Sequence, residues 1–153
     1  MKRKLPFSPH LVPIAAGLVI LVLLAAALLP SDARKAAKTV EEFYELEQEA
    51  KFASSWELFH SSMQEHFPRD SYISDRPHVF QNHFDVEDYE FTMSSPEKIK
   101  EWRMFADSEP LEEVYEIVVT KSYVGKYGHF DFVQFVYVTE EEREWRILWD
   151  YKE

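Results

Sequence analysis

Cysteine is absent from this 153-residue chain, glycine occurs three times and asparagine once. Without cysteine there is no disulfide, no thiol nucleophile, no thiolate metal site and no cysteine to carry a lipid. Stability outside the cytoplasm would therefore rest on packing alone. So little glycine and asparagine argues against a loop-dominated or disordered chain. Positive charge is scarce as well. After residue 30, fourteen Lys and Arg face 28 carboxylates, a formal charge of −14. A field of that sign repels phosphate backbones and excludes nucleic acid as a partner. Its ordinary role is to keep an aromatic-rich surface soluble; attraction to cations or basic partners is the alternative.

What the chain does have is aromatic side chains and one long apolar run. Aromatics make up 16% of the residues, and 23 of the 24 lie after residue 40. A basic tail over residues 1–10, with Lys2, Arg3 and Lys4, precedes 19 uncharged residues from Leu11 to Leu29. At about 1.5 Å per residue such a helix covers roughly 28 Å, close to the ~30 Å hydrocarbon core of a bilayer. Residues 11–30 are therefore expected to span a membrane once. The run exceeds the ~7–15 residues of a signal-peptide core. Ala25-Ala26-Ala27 has cleavage-site character but lies inside the run, and Ser31-Asp32-Ala33 fits the rule less well. An uncleaved signal anchor is expected, with secretion after cleavage as the alternative. Arg34, Lys35 and Lys38 nearly balance the basic tail, so the positive-inside count alone does not set orientation. The short tail and the acidic remainder favour the N-terminus inside and the C-terminal part outside. Residues 31–38 read as a linker and 39–153 as one folded domain.

Thr39-Val40-Glu41-Glu42 has the form of a capping box, and Val40, Phe43, Tyr44 and Glu47 continue at helical spacing, which predicts a helix from Thr39 to Ala50. Ser54-Ser55-Trp56-Glu57 predicts a second helix, ending by Phe67 because Pro68 disfavours helix at the residue before it. Arg69 to Pro77 reads as a polar connection. The period then changes to two: Tyr89–Met93 is an expected strand, Glu97–Phe105 fits neither period, and Val114–Tyr123 is a strand with Tyr115, Ile117 and Val119 on one face. Phe130–Thr139 is apolar on both faces, which predicts a central strand covered on both sides. Trp145, Ile147, Trp149 and Tyr151 alternate with Arg146, Leu148, Asp150 and Lys152 as a half-buried strand. Val124–Gly128 and Glu140–Glu144 are short enough for hairpin turns. Helices followed by an antiparallel meander make an α+β fold, the curved sheet packed over the helices.

That order, closing on Trp145-Arg146-Ile147-Leu148-Trp149-Asp150 after a strand ending Val-Tyr-Val and a charged turn, resembles the nuclear transport factor 2-like superfamily. Within it, the chain is most similar to the membrane-proximal domain of low-affinity, methicillin-resistance-type penicillin-binding proteins. Asp75-Arg76-Pro77 followed by Phe84-Asp85-Val86-Glu87-Asp88 adds to the likeness, as does the preceding membrane anchor. The resemblance covers roughly Thr39 to Tyr151, and no transpeptidase is expected with it. It implies a cone of helices against a curved sheet, acting as an accessory module facing the periplasm or cell wall without an enzyme of its own. The fold hosts enzymes and non-enzymes alike.

Ser95-Pro96-Glu97-Lys98 matches a Ser-x-x-Lys nucleophile motif, but its Ser-x-Asn and Lys-Thr-Gly companions are missing, so it reads as a turn. His60, His66, His78 and His83 lie near Glu57, Glu65 and Asp85 without any i,i+4 pair or compact ligand spacing, so no metal site is expected. Enzymes of the resembled superfamily carry an acid or base at the mouth of the cone, which makes His60, Tyr123, Asp131 and Asp150 the candidates here. Asp150 alternates with Trp149 and should face the polar side of its strand. The expectation is an envelope interaction module, bound to the membrane through residues 11–30 and to another envelope protein. Catalytic, cofactor-binding and metal-ligating residues are unassigned, and no cofactor is expected. The alternative is a small-molecule-binding or enzymatic cone with a carboxylate or His in an aromatic pocket.

Overall fold

Alternation of apolar and polar residues after residue 89, and helical spacing before residue 67, both carry over into three dimensions. A computed structural model describes residues 30–77, 89–125 and 128–150. The chain divides into two units, Met1–Ser31 and Asp32–Glu153, and every described helix and strand belongs to the second. The expected span, together with His78, His83, Asp85 and Tyr151, lies outside the described residues, apart from Pro30. Among the described residues no helix is long and apolar enough to cross a membrane.

Helix α1 runs Asp32–Gln48, so residues 32–38, read as linker, are its first two turns. The capping box at Thr39 is not used. Its hydroxyl donates to the Lys35 carbonyl at 3.1 Å, one turn back in an unbroken helix. The apolar stripe begins earlier, at Ala36, and continues through Val40, Phe43, Tyr44 and Glu47, all buried. Asp32 sits in the first turn, where the helix dipole favours an anion, and pairs with Lys35 at 3.0 Å. The helix ends where Ala50 turns left-handed (φ 55°) and the Lys51 N–H reaches the Leu46 carbonyl at 2.8 Å. That six-to-one bond is a Schellman-type stop.

The expected second helix is two: α2 (Phe52–Glu57) and α3 (Ser61–His66). They part because Phe59 forms a parallel bridge with Ile147, with His60 N–H to the Ile147 carbonyl at 3.0 Å and Ile147 N–H to the Leu58 carbonyl at 2.8 Å. Pairing to an exposed strand edge outweighs one more turn of helix. Phe67 is extended before Pro68, as expected. Residues Arg69–Pro77, expected as a connection, are helix α4. Its buried face holds Tyr72 and Arg76, four residues apart, too few apolar groups to register as a period.

Five antiparallel strands follow: β1 (Tyr89–Met93), β2 (Glu97–Trp102), β3 (Leu111–Gly125), β4 (Gly128–Glu141) and β5 (Glu144–Trp149). The order is β1-β3-β4-β5, and β2 also pairs with β3. Met93 pairs with Val119 and Glu97 with Glu116, so residues 94–96 oppose only 117 and 118. The extra residue is a bulge. Ser94 holds it, donating N–H to the Val118 carbonyl and accepting the Val118 N–H on Oγ, both at 2.9 Å. The β4–β5 hairpin turns on Glu142 and Arg143, both at positive φ (51° and 71°), as a two-residue I′ turn requires.

The result is an α+β fold in which a curled antiparallel half-barrel receives α1 on its inner face. Trp149 lies at the centre, with ring centroids 4.9 Å from Phe59, 5.9 Å from Phe67 and 6.0 Å from Phe43. Trp145, on the same face, is only half-buried and meets Tyr115 at 5.7 Å. On the outer face Trp102 packs on Tyr137 at 4.4 Å, beside buried Met104 and Leu148. The expectation that β4 is covered on both sides holds for Val136–Thr139 only. Phe132, Val133 and Phe135 are about half exposed, because β5 pairs with β4 no further than Val136↔Trp149.

Candidate functional site

Within the second unit, polar groups collect on the inner face of the sheet, between α1, α4 and the β3–β4 hairpin. Helical spacing turns Glu47 inward one turn after Phe43 and Tyr44, where it is buried. Its carboxylate is fully engaged instead. Oε1 accepts the Ser55 hydroxyl at 2.6 Å and the Tyr72 hydroxyl at 2.7 Å; Oε2 accepts Arg76 Nε at 2.7 Å and is 2.5 Å from its terminal nitrogen. A buried ion pair is tolerable only when its remaining hydrogen-bonding capacity is met in this way. Burial works against the Arg76 charge, but the Glu47 carboxylate outweighs it and holds the guanidinium above its ordinary pKa. Arg76 also lies over the rings of Tyr72 and Trp149, at 5.5 and 5.3 Å.

Lys121 is the second buried cation. It continues the alternation Tyr115, Ile117, Val119 on β3 and is 1% exposed. Its ammonium lies 4.8 Å from the centre of the Phe132 ring, 5.6 Å from Tyr44 and 5.8 Å from Tyr89. Burial, with the Arg76 charge adding to it and Glu47 opposing, brings its pKa down to about 7. Around it, the Tyr44 hydroxyl donates to Gln134 Oε1 at 2.9 Å and the Tyr89 hydroxyl to the Tyr44 carbonyl at 3.2 Å. Tyr123 stacks on Phe130 at 5.2 Å and 13°, and packs on Tyr89 at 5.3 Å. Burial holds the Tyr44 and Tyr72 hydroxyls above their ordinary values, and that of Tyr123 at about 12, so all three stay protonated through neutral pH. Phe130 and Phe132, which cover Tyr123 and Lys121, are themselves 37% and 50% exposed. The buried polar cluster thus lies directly beneath an apolar surface at the turn end of the β3–β4 hairpin.

Of the four candidates named from the sequence, only Tyr123 belongs to this cluster. Asp131 is exposed on β4. Asp150 is half-buried just past β5, with Oδ1 inside, rather than on an open polar face. His60 caps α3, its Nδ1 accepting the Ser62 N–H at 3.1 Å, and its Nε2 is 3.4 Å from Glu141. Glu141 lies eleven residues along β4 from Phe130, the partner of Tyr123, or roughly 36 Å of strand. His60 and Tyr123 are therefore at opposite ends. Burial lowers the His60 pKa despite Glu141, and the cap requires the unprotonated Nδ1. Burial would raise that of Glu141, but the Ser61 hydroxyl and N–H, with His60 and Arg146, bring it below its ordinary value.

Ser95 and Lys98 make no nucleophile pair. Ser95 lies in the bulge, and Lys98 Nζ is 2.7 Å from Glu113 and over the Tyr115 ring. Among the described residues no group of three His, Asp or Glu could hold a metal ion. Sequence reasoning missed Ser55, Tyr72, Arg76 and Lys121. The usable signals were a lysine at an inward position of an otherwise buried strand and a glutamate in the apolar stripe of α1. No family model matches the chain, and no curated protein matches it.

Proposed function

We propose that this chain is a membrane-anchored, extracytoplasmic interaction module of the bacterial cell envelope with a nuclear transport factor 2-like cone, and that it holds another envelope protein without catalysing a reaction. The apolar run over 11–29 and the order of helices and strands support the anchor and the cone. One observation carries the interaction reading: Val124, Val133 and Phe135 are 51–66% exposed on one face of the β3–β4 hairpin, opposite the face where Phe130 and Phe132 cover the buried cluster. A run of exposed apolar side chains on an otherwise acidic domain marks a surface that a partner covers. A photo-crosslinking residue placed at Val133 or Phe135 in the full-length chain, in its native membrane, should trap one defined partner. The same residue at exposed Glu112, on β3, should not. Equal trapping at all three positions, or none, refutes the reading.

Lys121 favours a second reading, a small-molecule-binding cone. A buried amine among aromatic rings, near an Arg–Glu pair, is an expensive arrangement that ligand sites often maintain. An anionic ligand that saturably shifts the resonances of the isotope-labelled Lys121 side chain in the full-length chain would put this reading first.

A further inference from the structure

The outer face of the sheet carries a cavity of about 490 Å³ between α3, the 103–110 connection and the end of β5. Leu148 lines it, and alternation places that side chain on the face opposite Ile147 and Trp149, so the cavity is separate from the buried cluster around Lys121. Its floor is apolar, with Met104 and Leu148 buried and Phe105 half-buried. Its rim carries two exposed carboxylates, Glu65 from α3 and Glu109 from the connection, and neither has an ion-pair partner among the described residues. Among the described residues, neither lysine nor arginine lines the cavity. Arg103, the basic residue of the connection, donates instead to the Ser108 carbonyl. The Ser108 hydroxyl accepts the Phe105 N–H at 3.1 Å and donates to the Phe105 carbonyl at 2.9 Å, which holds the wall in place.

We propose that this cavity binds a small organic cation, an arylalkylamine in chemical class, with its apolar body on Met104, Phe105 and Leu148 and its ammonium between Glu65 and Glu109. The volume lies in the range of small-molecule sites, and the mix of apolar floor and few polar groups is what such sites use. The ammonium stays at a solvated rim, so binding does not incur the cost of burying a charge. The Phe105 and His66 rings, 5.8 Å apart, offer aromatic surface to a cation, and the net charge of −11 repels anionic competitors.

The test uses the full-length chain in nanodiscs of zwitterionic lipid with carbon-13 methyl-labelled methionine. Of the described methionines, at 63, 93 and 104, only Met104 lines the cavity. Titration with phenethylamine should shift the Met104 methyl resonance saturably and leave Met63 and Met93 in place. The neutral isostere 2-phenylethanol should bind at least about tenfold more weakly, since it forgoes both carboxylates, and 3-phenylpropionate should not bind. The double variant Glu65→Gln/Glu109→Gln should keep the unliganded Met104 resonance and lose about tenfold in amine affinity. Absence of a saturable Met104 shift overturns the proposal. So does equal binding of amine and alcohol, undiminished binding by the double variant, or a uniform shift of all the methionines.

Discussion

Replacing Lys121 with methionine should make the domain more stable at pH 7 and remove a pH dependence that the native chain carries. The amine is 1% exposed and its pKa stands at about 7, against about 10.5 for a solvated lysine. Between those two values the unfolded chain holds a proton that the folded chain has released. Stability therefore rises with pH through this window, and the penalty is greatest below pH 7. The full difference, about 3.5 pH units at 1.36 kcal/mol each, sets an upper bound near 5 kcal/mol. From pH 7 to pH 9 the wild-type gain should be about 2 kcal/mol. Tyr44, Tyr72 and Tyr123 hold their protons through that interval, since burial places each above the ordinary tyrosine value.

All four tryptophans, at 56, 102, 145 and 149, lie in the described part of the second unit, so denaturant unfolding followed by their fluorescence reports on this domain alone. Methionine keeps the length and flexibility of the lysine stem while removing the charge. A wild-type stability that is flat or falls between pH 7 and pH 9 would refute a depressed Lys121 pKa. The same rise in the Lys121→Met chain would refute it equally.

His60 should make the domain lose stability as pH falls below about 6.5, because burial depresses its folded pKa and the unfolded chain then takes up the proton first. His60→Asn retains an acceptor for the Ser62 N–H and should flatten that loss in the same unfolding assay. Trp149→Ala should cost about 3–5 kcal/mol, since the ring touches Phe43, Phe59 and Phe67; half-buried Trp145→Ala should cost less than half of that. A reporter active only after export, fused behind Glu153, should be active, and activity of a cytoplasmic reporter there would reverse the proposed orientation.

The legible parts of the fold were those in which one physical signal repeats. Alternation over Val114–Tyr123 and Trp145–Trp149 located β3 and β5, and charged residues of short span located the β4–β5 turn. The signals that misled were local ones overruled by distant contacts. Thr39 has the side chain of a cap, yet Ala36 extends the buried stripe past it, so the helix continues. Ser54 and Ser55 look like a second cap, but Ser55 is inside α2 and its hydroxyl is spent on Glu47. The α2–α3 break depends on Ile147, nearly ninety positions away from Phe59, and nothing within the segment announces it. Helix α4 was invisible because its inner face holds one tyrosine and one arginine. The site was hidden for the same reason. Arg76 reads as a surface charge in a polar connection, and nothing pairs it with Glu47 of the α1 stripe until the fold brings the two to 2.5 Å.

Phe132 links the two readings of the turn end of this hairpin, and its substitution separates them. The ring is half exposed, yet it lies 4.8 Å from the Lys121 ammonium, so its exposure has an internal cause: it is the cover of a buried amine. That cause does not extend to Val133 and Phe135, which alternate onto the other face of β4 and remain about half exposed there. Phe132→Ser should admit water to Lys121 and move its pKa back toward the solvated value, which nuclear magnetic resonance of the labelled side chain can follow. Partner crosslinking through Val133 and Phe135 should persist in that variant, because the surface those residues form is left intact. Loss of crosslinking together with the change at Lys121 would mean that the hairpin end and the buried cluster act as a single ligand site. The interaction surface would then have to be sought elsewhere on the domain.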